Sequence, residues 1–204
     1  MVVILINKII SSIMQIILFS FIPLIWWLVI DRKKESFLKW IGLKKIKKES
    51  KKKLIISILL ISISYILVSF VTIYLTKDIE TATSEFNGMR LSALFPALVY
   101  AIFNTSLPEE ILFRGFLLKR IASKFGYLTA NVIQSVIFGL LHGIMFFNTA
   151  GVIKTIIIIF LTGLIAFVMG YINEKKANGS ILPSWFIHAL SNIFASIVAM
   201  FSLI

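Results

Sequence analysis

Residues 31–53 read DRKKESFLKWIGLKKIKKESKKK, with eleven Lys or Arg set against Asp31, Glu35 and Glu49. The stretch is wedged between two apolar runs, IISSIMQIILFSFIPLIWWLVI at 9–30 and LIISILLISISYILVSFVTIYLT at 54–76. At 1.5 Å per helical residue, each run is long enough to cross about 30 Å of hydrocarbon. A basic block between two such runs is the signature of a short cytoplasmic loop, because Lys and Arg accumulate on that side of a bilayer. Phe37, Leu38, Trp40, Ile41, Leu43 and Ile46 interleave with the lysines. That pattern suits either a short helix lying on an anionic leaflet or a solvated charged loop.

The rest of the 204-residue chain agrees: it is 59% hydrophobic and 15% charged, with a net charge of +12. Soluble domains are about a quarter charged, so too little polar surface is present to coat a water-soluble globule. Further apolar runs fall at 91–118, 127–147, 152–172 and 181–203, giving an all-α, polytopic transmembrane bundle of about six spans. Residues 1–90 form a two-span region carrying the basic loop, and residues 91–204 carry the polar motifs, within one domain overall. The excess of basic residues is accounted for by membrane topology, so no nucleic-acid partner is expected. With no cysteine, disulfides, thiolate metal sites and thiol nucleophiles are excluded.

Placing 31–53 in the cytosol puts the N- and C-termini outside and the loop Lys77–Arg90 outside. Lys119, Arg120, Lys124, Lys175 and Lys176 then fall inside, so separate basic clusters agree on one orientation.

Several polar groups stand inside runs that should lie in hydrocarbon: Glu109, Glu110 and Arg114 after Pro108, then His142, then His188 with Asn192. A charged side chain at mid-membrane costs about 2.5–3.5 kcal/mol on insertion scales, so such groups face a protein interior or wet cavity and mark function. Pro108 suits the first turn of a helix, which predicts a break or kink before Glu109 and places the carboxylates near a positive helix end. Glu110 and Arg114, Phe138 and His142, and His188 and Asn192 are each four residues apart, so each pair shares a helical face. Glu109 lies about 100° around from Glu110. The spacing therefore pairs Glu110 with Arg114 and leaves Glu109 pointing into a cavity.

A carboxylate and an imidazole converging on one water can take its proton and return it to a leaving group. A second imidazole with an amide one turn away can stabilise an oxyanion. Equally, Glu109, His142 and His188 could bind zinc with an open position. Spacing alone leaves that choice open, although Asn192 suits an oxyanion donor better than a zinc ligand, which favours the metal-free route.

The three motifs are Glu109-Glu110-x-x-x-Arg114, Phe138-x-x-x-His142 and His188-x-x-x-Asn192, the last preceded by Pro183. In this order they resemble the CAAX protease and bacteriocin-processing (Abi) family, which includes the type II CAAX prenyl endopeptidases. The resemblance implies an intramembrane endopeptidase in which Glu109 and His142 activate water and His188 and Asn192 form the oxyanion site. Arg114 would hold Glu110, and Phe138 would prop His142. It implies a peptide or membrane-protein substrate, either no cofactor or Zn, and a bacterial cell-membrane setting in bacteriocin or pheromone maturation or self-immunity. The alternative is a non-catalytic immunity protein on the same scaffold, in which substituting these residues leaves protection intact.

One expectation conflicts with this picture. Counted at 1.5 Å per residue from the cytosolic ends, His188 lies about 11 Å deep, Glu109 about 13 Å and His142 about 23 Å. The three meet only if span 4 begins later than Tyr127, with Asn131 and Gln134 in the interface, or if helices tilt and kink.

Overall fold

The computed structural model describes residues 2–46 and 51–204. Lys47, Lys48, Glu49 and Ser50 of the basic stretch lie outside the described residues. Among the described residues the secondary structure is helical, without strands. Six helices are long and apolar enough to cross a membrane: Val2–Asp31, Lys52–Leu75, Arg90–Phe125, Tyr127–Ile144, Val152–Lys176 and Leu182–Met200. We number these spans 1 to 6. The protein is an all-helical, multi-pass membrane protein.

Two sequence expectations about span 3 are corrected. Its helix does not stop near Leu118 but continues through Lys119, Arg120 and Lys124 to Phe125, so these cations sit on a helix rather than in a loop. Nor does it break before Glu109. Ser106 and Leu107 keep helical dihedrals, and Pro108 is carried inside a continuous helix flanked by wider π-helical segments at Tyr100–Ser106 and Ile111–Leu117. A π turn relaxes the i→i+4 ladder, which gives a proline ring room without ending the helix. The carboxylates are therefore not at a helix N-terminus, and their charge must be met by side chains.

The extended span 3 also resolves the conflict of depths. Spans 3 and 4 are joined by Gly126 alone, at φ +81°, in the left-handed region that glycine occupies cheaply. Glu109 lies sixteen residues before Phe125 and His142 fifteen after Tyr127, or about 24 and 22 Å along the two arms of one hairpin. Span 6 starts deeper on that scale. The segment preceding it is held at the level of Lys119, whose Nζ donates to the Gly179 carbonyl at 2.8 Å. His188, six residues into span 6, thus reaches the same height as the other two.

Spans 4 and 5 pack at glycines. A Cβ on Gly139 would stand 2.4 Å from the Ile159 carbonyl oxygen and 3.2 Å from the Gly163 Cα, so the two backbones are in contact there. Nearer the Gly126 turn, Asn131 Nδ2 donates to the Phe167 carbonyl at 2.9 Å. Buried Gln134 donates to the Ala166 carbonyl at 3.2 Å. These amides cross-link the helices and stop them sliding.

The basic clusters gather at one end of the bundle. Asp31 accepts from Trp40 Nε1 at 2.9 Å and Lys34 Nζ at 2.6 Å, and pairs with Arg120 at 3.3 Å. Lys119 pairs with Glu174 at 2.7 Å. The helical part of the loop is one turn, Phe37–Trp40. Trp40 and Ile41 are buried against Leu107, Ile111, Phe116 and Ile181, with Phe37 and Leu43 packed on them. Ile46 packs on the cluster around Leu54 and Ile172. Thus the apolar residues expected to enter a leaflet face the protein instead, and Leu38 alone of the six is exposed. At the opposite end Lys8 pairs with Glu85, Phe86 is fully buried, and the Gly88 N–H bonds the Ala199 carbonyl at 3.2 Å.

Candidate active site

The two adjacent carboxylates of span 3 have different surroundings. Glu110 is fully buried and both its oxygens are satisfied. Oε1 accepts from Arg114 NH1 and from His188 Nδ1, each at 3.0 Å, and Oε2 accepts from Ser184 Oγ at 2.5 Å. Arg114, equally buried, has its guanidinium 4.3 Å from the Phe138 ring centroid. Its Nε and NH2 have no hydrogen-bond partner, so the ring face is what offsets their desolvation.

Glu109 points elsewhere. Its Oε2 is buried without a hydrogen-bond partner, and lies 3.9 Å from His142 Nε2 and 3.8 Å from His188 Nε2. Both separations exceed a direct hydrogen bond. In a neutral ring the tautomer follows from the other nitrogen. His142 Nδ1 is 2.9 Å from the Phe138 carbonyl oxygen, which can only accept, so that nitrogen carries the hydrogen. His188 Nδ1 likewise donates to the Glu110 carboxylate. In both neutral rings Nε2 is therefore a bare lone pair aimed at Glu109. Three acceptors facing one another repel unless a donor stands among them, and a proton, a water with two O–H groups or a cation would serve.

Phe138 proves central to this arrangement. It is fully buried, its ring centroid is 4.3 Å from His142 and 6.0 Å from His188, and Phe113 packs edge-on at 5.0 Å. The Tyr65 ring of span 2 covers His188 at 5.7 Å.

The structure thus brings together Glu109, Glu110, Arg114, Phe138, His142 and His188. Asn192 is placed differently from the sequence expectation. Its Nδ2 donates to Thr105 Oγ1 at 2.8 Å and Ser106 Oγ at 3.1 Å, so both amide hydrogens are engaged one turn before Glu109. Asn192 anchors the end of the π-helical turn that precedes Glu109. Residues that sequence reasoning missed are Tyr65, Thr105, Ser106, Asn173 and Ser184. Only Ser184 had a signal, since it stands four residues before His188 and shares its helical face. Asn173 lay one residue beyond an apolar run taken to end at Ile172, and Tyr65 is one aromatic in an otherwise aliphatic span.

Could these residues hold a metal? The donor types, two imidazoles and a carboxylate, suit zinc. Their spacing is looser: among the described residues no group of three or more His, Asp or Glu is placed to hold a metal ion.

A carboxylate and two imidazoles thus converge inside a six-span helical protein. Residues 91–194 match the family described as Type II CAAX prenyl endopeptidase Rce1-like. The chain belongs to this family of CAAX-type membrane proteases. No curated protein and no solved structure matches it.

Proposed function

We propose that the protein is an endopeptidase that hydrolyses a peptide bond within the membrane by a water held between Glu109 and His142. The observation that carries this reading is the convergence of Glu109 Oε2 with the two bare Nε2 atoms at 3.8–3.9 Å. A water making hydrogen bonds of about 2.8 Å bridges that separation with ease. Zinc at about 2.0–2.1 Å would draw tetrahedral ligands to roughly 3.4 Å of one another. The water route therefore needs less rearrangement, and metal dependence is left to the chelator arm of the experiment below.

In this mechanism Glu109 takes a proton from the water while His142 Nε2 accepts its second O–H and orients it. The water oxygen attacks the carbonyl carbon, and the carbonyl oxygen becomes an oxyanion. His188, once Nε2 has taken up a proton, donates from it to that oxyanion while Nδ1–H stays on Glu110. Glu109 then delivers its proton to the amide nitrogen, the C–N bond breaks, and the oxyanion re-forms the carbonyl of a carboxylic acid. Asn192 acts by holding Thr105 and Ser106, and hence the backbone bearing Glu109.

We take the end bearing Asp31, Lys119, Arg120, Lys175 and Lys176 to be cytoplasmic under the positive-inside rule. Exposed Arg32, Lys33, Lys34, Lys39 and Lys45 would there face anionic lipid headgroups. The substrate class proposed is a peptide or membrane protein, in a bacterial setting of bacteriocin or pheromone maturation or self-immunity. The test compares Glu109→Ala, His142→Ala and His188→Ala with wild type for peptide cleavage, with chelator added and withheld. All three variants should accumulate in the membrane without cleaving. Wild-type cleavage by Glu109→Ala refutes the mechanism, and loss of wild-type activity to chelator replaces water activation with a metal-assisted route through the same three residues.

A further inference from the structure

The Glu110 carboxylate is held not only from its own helix but from spans 5 and 6 as well. Ser184 Oγ stands 2.5 Å from Glu110 Oε2. The same hydroxyl lies 3.1 Å from the Ile181 carbonyl, but its single hydrogen goes to the nearer, charged acceptor, where the bond is stronger. Behind Ser184 stands Asn173, the second residue past the end of the α-helical part of span 5. Its Nδ2 donates to Ser184 Oγ at 2.6 Å, and its Oδ1 accepts the Ser184 backbone N–H at 3.3 Å. Asn173, Ser184, Glu110 and Arg114 are all fully buried. An amide that grips both the hydroxyl and the backbone of one serine leaves that serine a single direction in which to donate.

We infer that Asn173 and Ser184 are positioning residues for His188, acting through Glu110. With Oε2 fixed by Ser184, Oε1 is presented to His188 Nδ1, and this keeps the hydrogen on Nδ1 and the lone pair of Nε2 on the Glu109 side. Without Ser184 the carboxylate can turn about its terminal torsion, which is broad for a glutamate. His188 then loses the partner that selects its tautomer. Outer hydrogen bonds of this kind hold reactive imidazoles in place, and removing one costs on the order of 10–100-fold in activity. The inference rests on the peptidase reading above for its kinetic consequence, but not for its effect on the imidazole.

The experiment uses the full chain in liposomes. It contains two histidines, so 15N-histidine labelling yields two imidazoles, assigned with a His142→Gln variant. Wild type should show His188 as the tautomer protonated at Nδ1. Ser184→Ala should convert His188 to a mixture of tautomers while leaving His142 unchanged, and Asn173→Ala should do the same to a smaller extent. In a peptide-cleavage assay kcat should fall about 10-fold or more for Ser184→Ala, with KM unchanged, and the unfolding midpoint should fall because Glu110 Oε2 and Asn173 Nδ2 lose a buried partner. Ser184→Thr, which keeps the hydroxyl, should restore the His188 spectrum. An unaltered His188 tautomer in Ser184→Ala overturns the inference, whether or not the chain cleaves peptides. If the tautomer shifts but Glu109→Ala still cleaves, the mechanism proposed above fails while the positioning role stands.

Discussion

Glu109 and Glu110 are chemically identical neighbours on one helix, yet one is closed and the other open. The Glu110 side is saturated by Arg114, His188 and Ser184, drawn from two spans, with a third behind them. On the Glu109 side a buried oxygen lacks a hydrogen-bond partner and faces two imidazole lone pairs. A buried charge is tolerated only when it is paired, and a fully satisfied network rigidifies what surrounds it. The contrast teaches that the first carboxylate can be left without a partner because the second is fully paired.

That contrast can be broken from its closed side. Arg114→Met removes the cation and leaves Glu110 buried and short of its charge partner. Breaking a buried pair in this way costs about 3–5 kcal/mol, to be read as a lowered midpoint of unfolding in mild detergent. The frame around the site can be strained next. Gly139→Ala drives a methyl into the Ile159 carbonyl. An overpacked contact costs about 1–3 kcal/mol, and here it should also displace His142, lowering kcat as well as the melting temperature. A strain of comparable size sits at the basic end. Gly42, at φ +88°, approaches the Gly179 carbonyl and accepts from the Ile181 N–H at 2.9 Å. In Gly42→Ala the left-handed backbone alone costs about 1–2 kcal/mol. Proteolysis of inside-out vesicles should then cut the 31–46 segment faster, while the Glu109 site keeps its activity under conditions where the protein remains folded.

Much of this was legible beforehand. Hydropathy marked six spans, and four-residue spacing separated a Glu110–Arg114 pair from a cavity-facing Glu109, because both follow from local helix geometry. What escaped depended on how helices end. Lys119 and Arg120 look like loop residues, but pairing with Glu174 and Asp31 lets span 3 run on to Phe125, and this brings Glu109 level with His142. Pro108 signalled a break that wider helical turns made unnecessary. Asn192 was assigned a role toward substrate because its amide is a good donor. Thr105 and Ser106, unremarkable in an apolar run, take both of its hydrogens. Such partners lie 86 or 87 residues apart and leave no periodic trace.

The central claim is that Glu109 carries the chemistry and Glu110 the architecture. The most direct test is the cleavage rate of Glu109→Gln, a nearly isosteric change that removes only the base, measured beside its unfolding midpoint. The account predicts a rate lowered by about 10²–10⁴-fold, the usual contribution of a general base, with the midpoint of wild type. A Glu109→Gln protein that cleaves at the wild-type rate would contradict it.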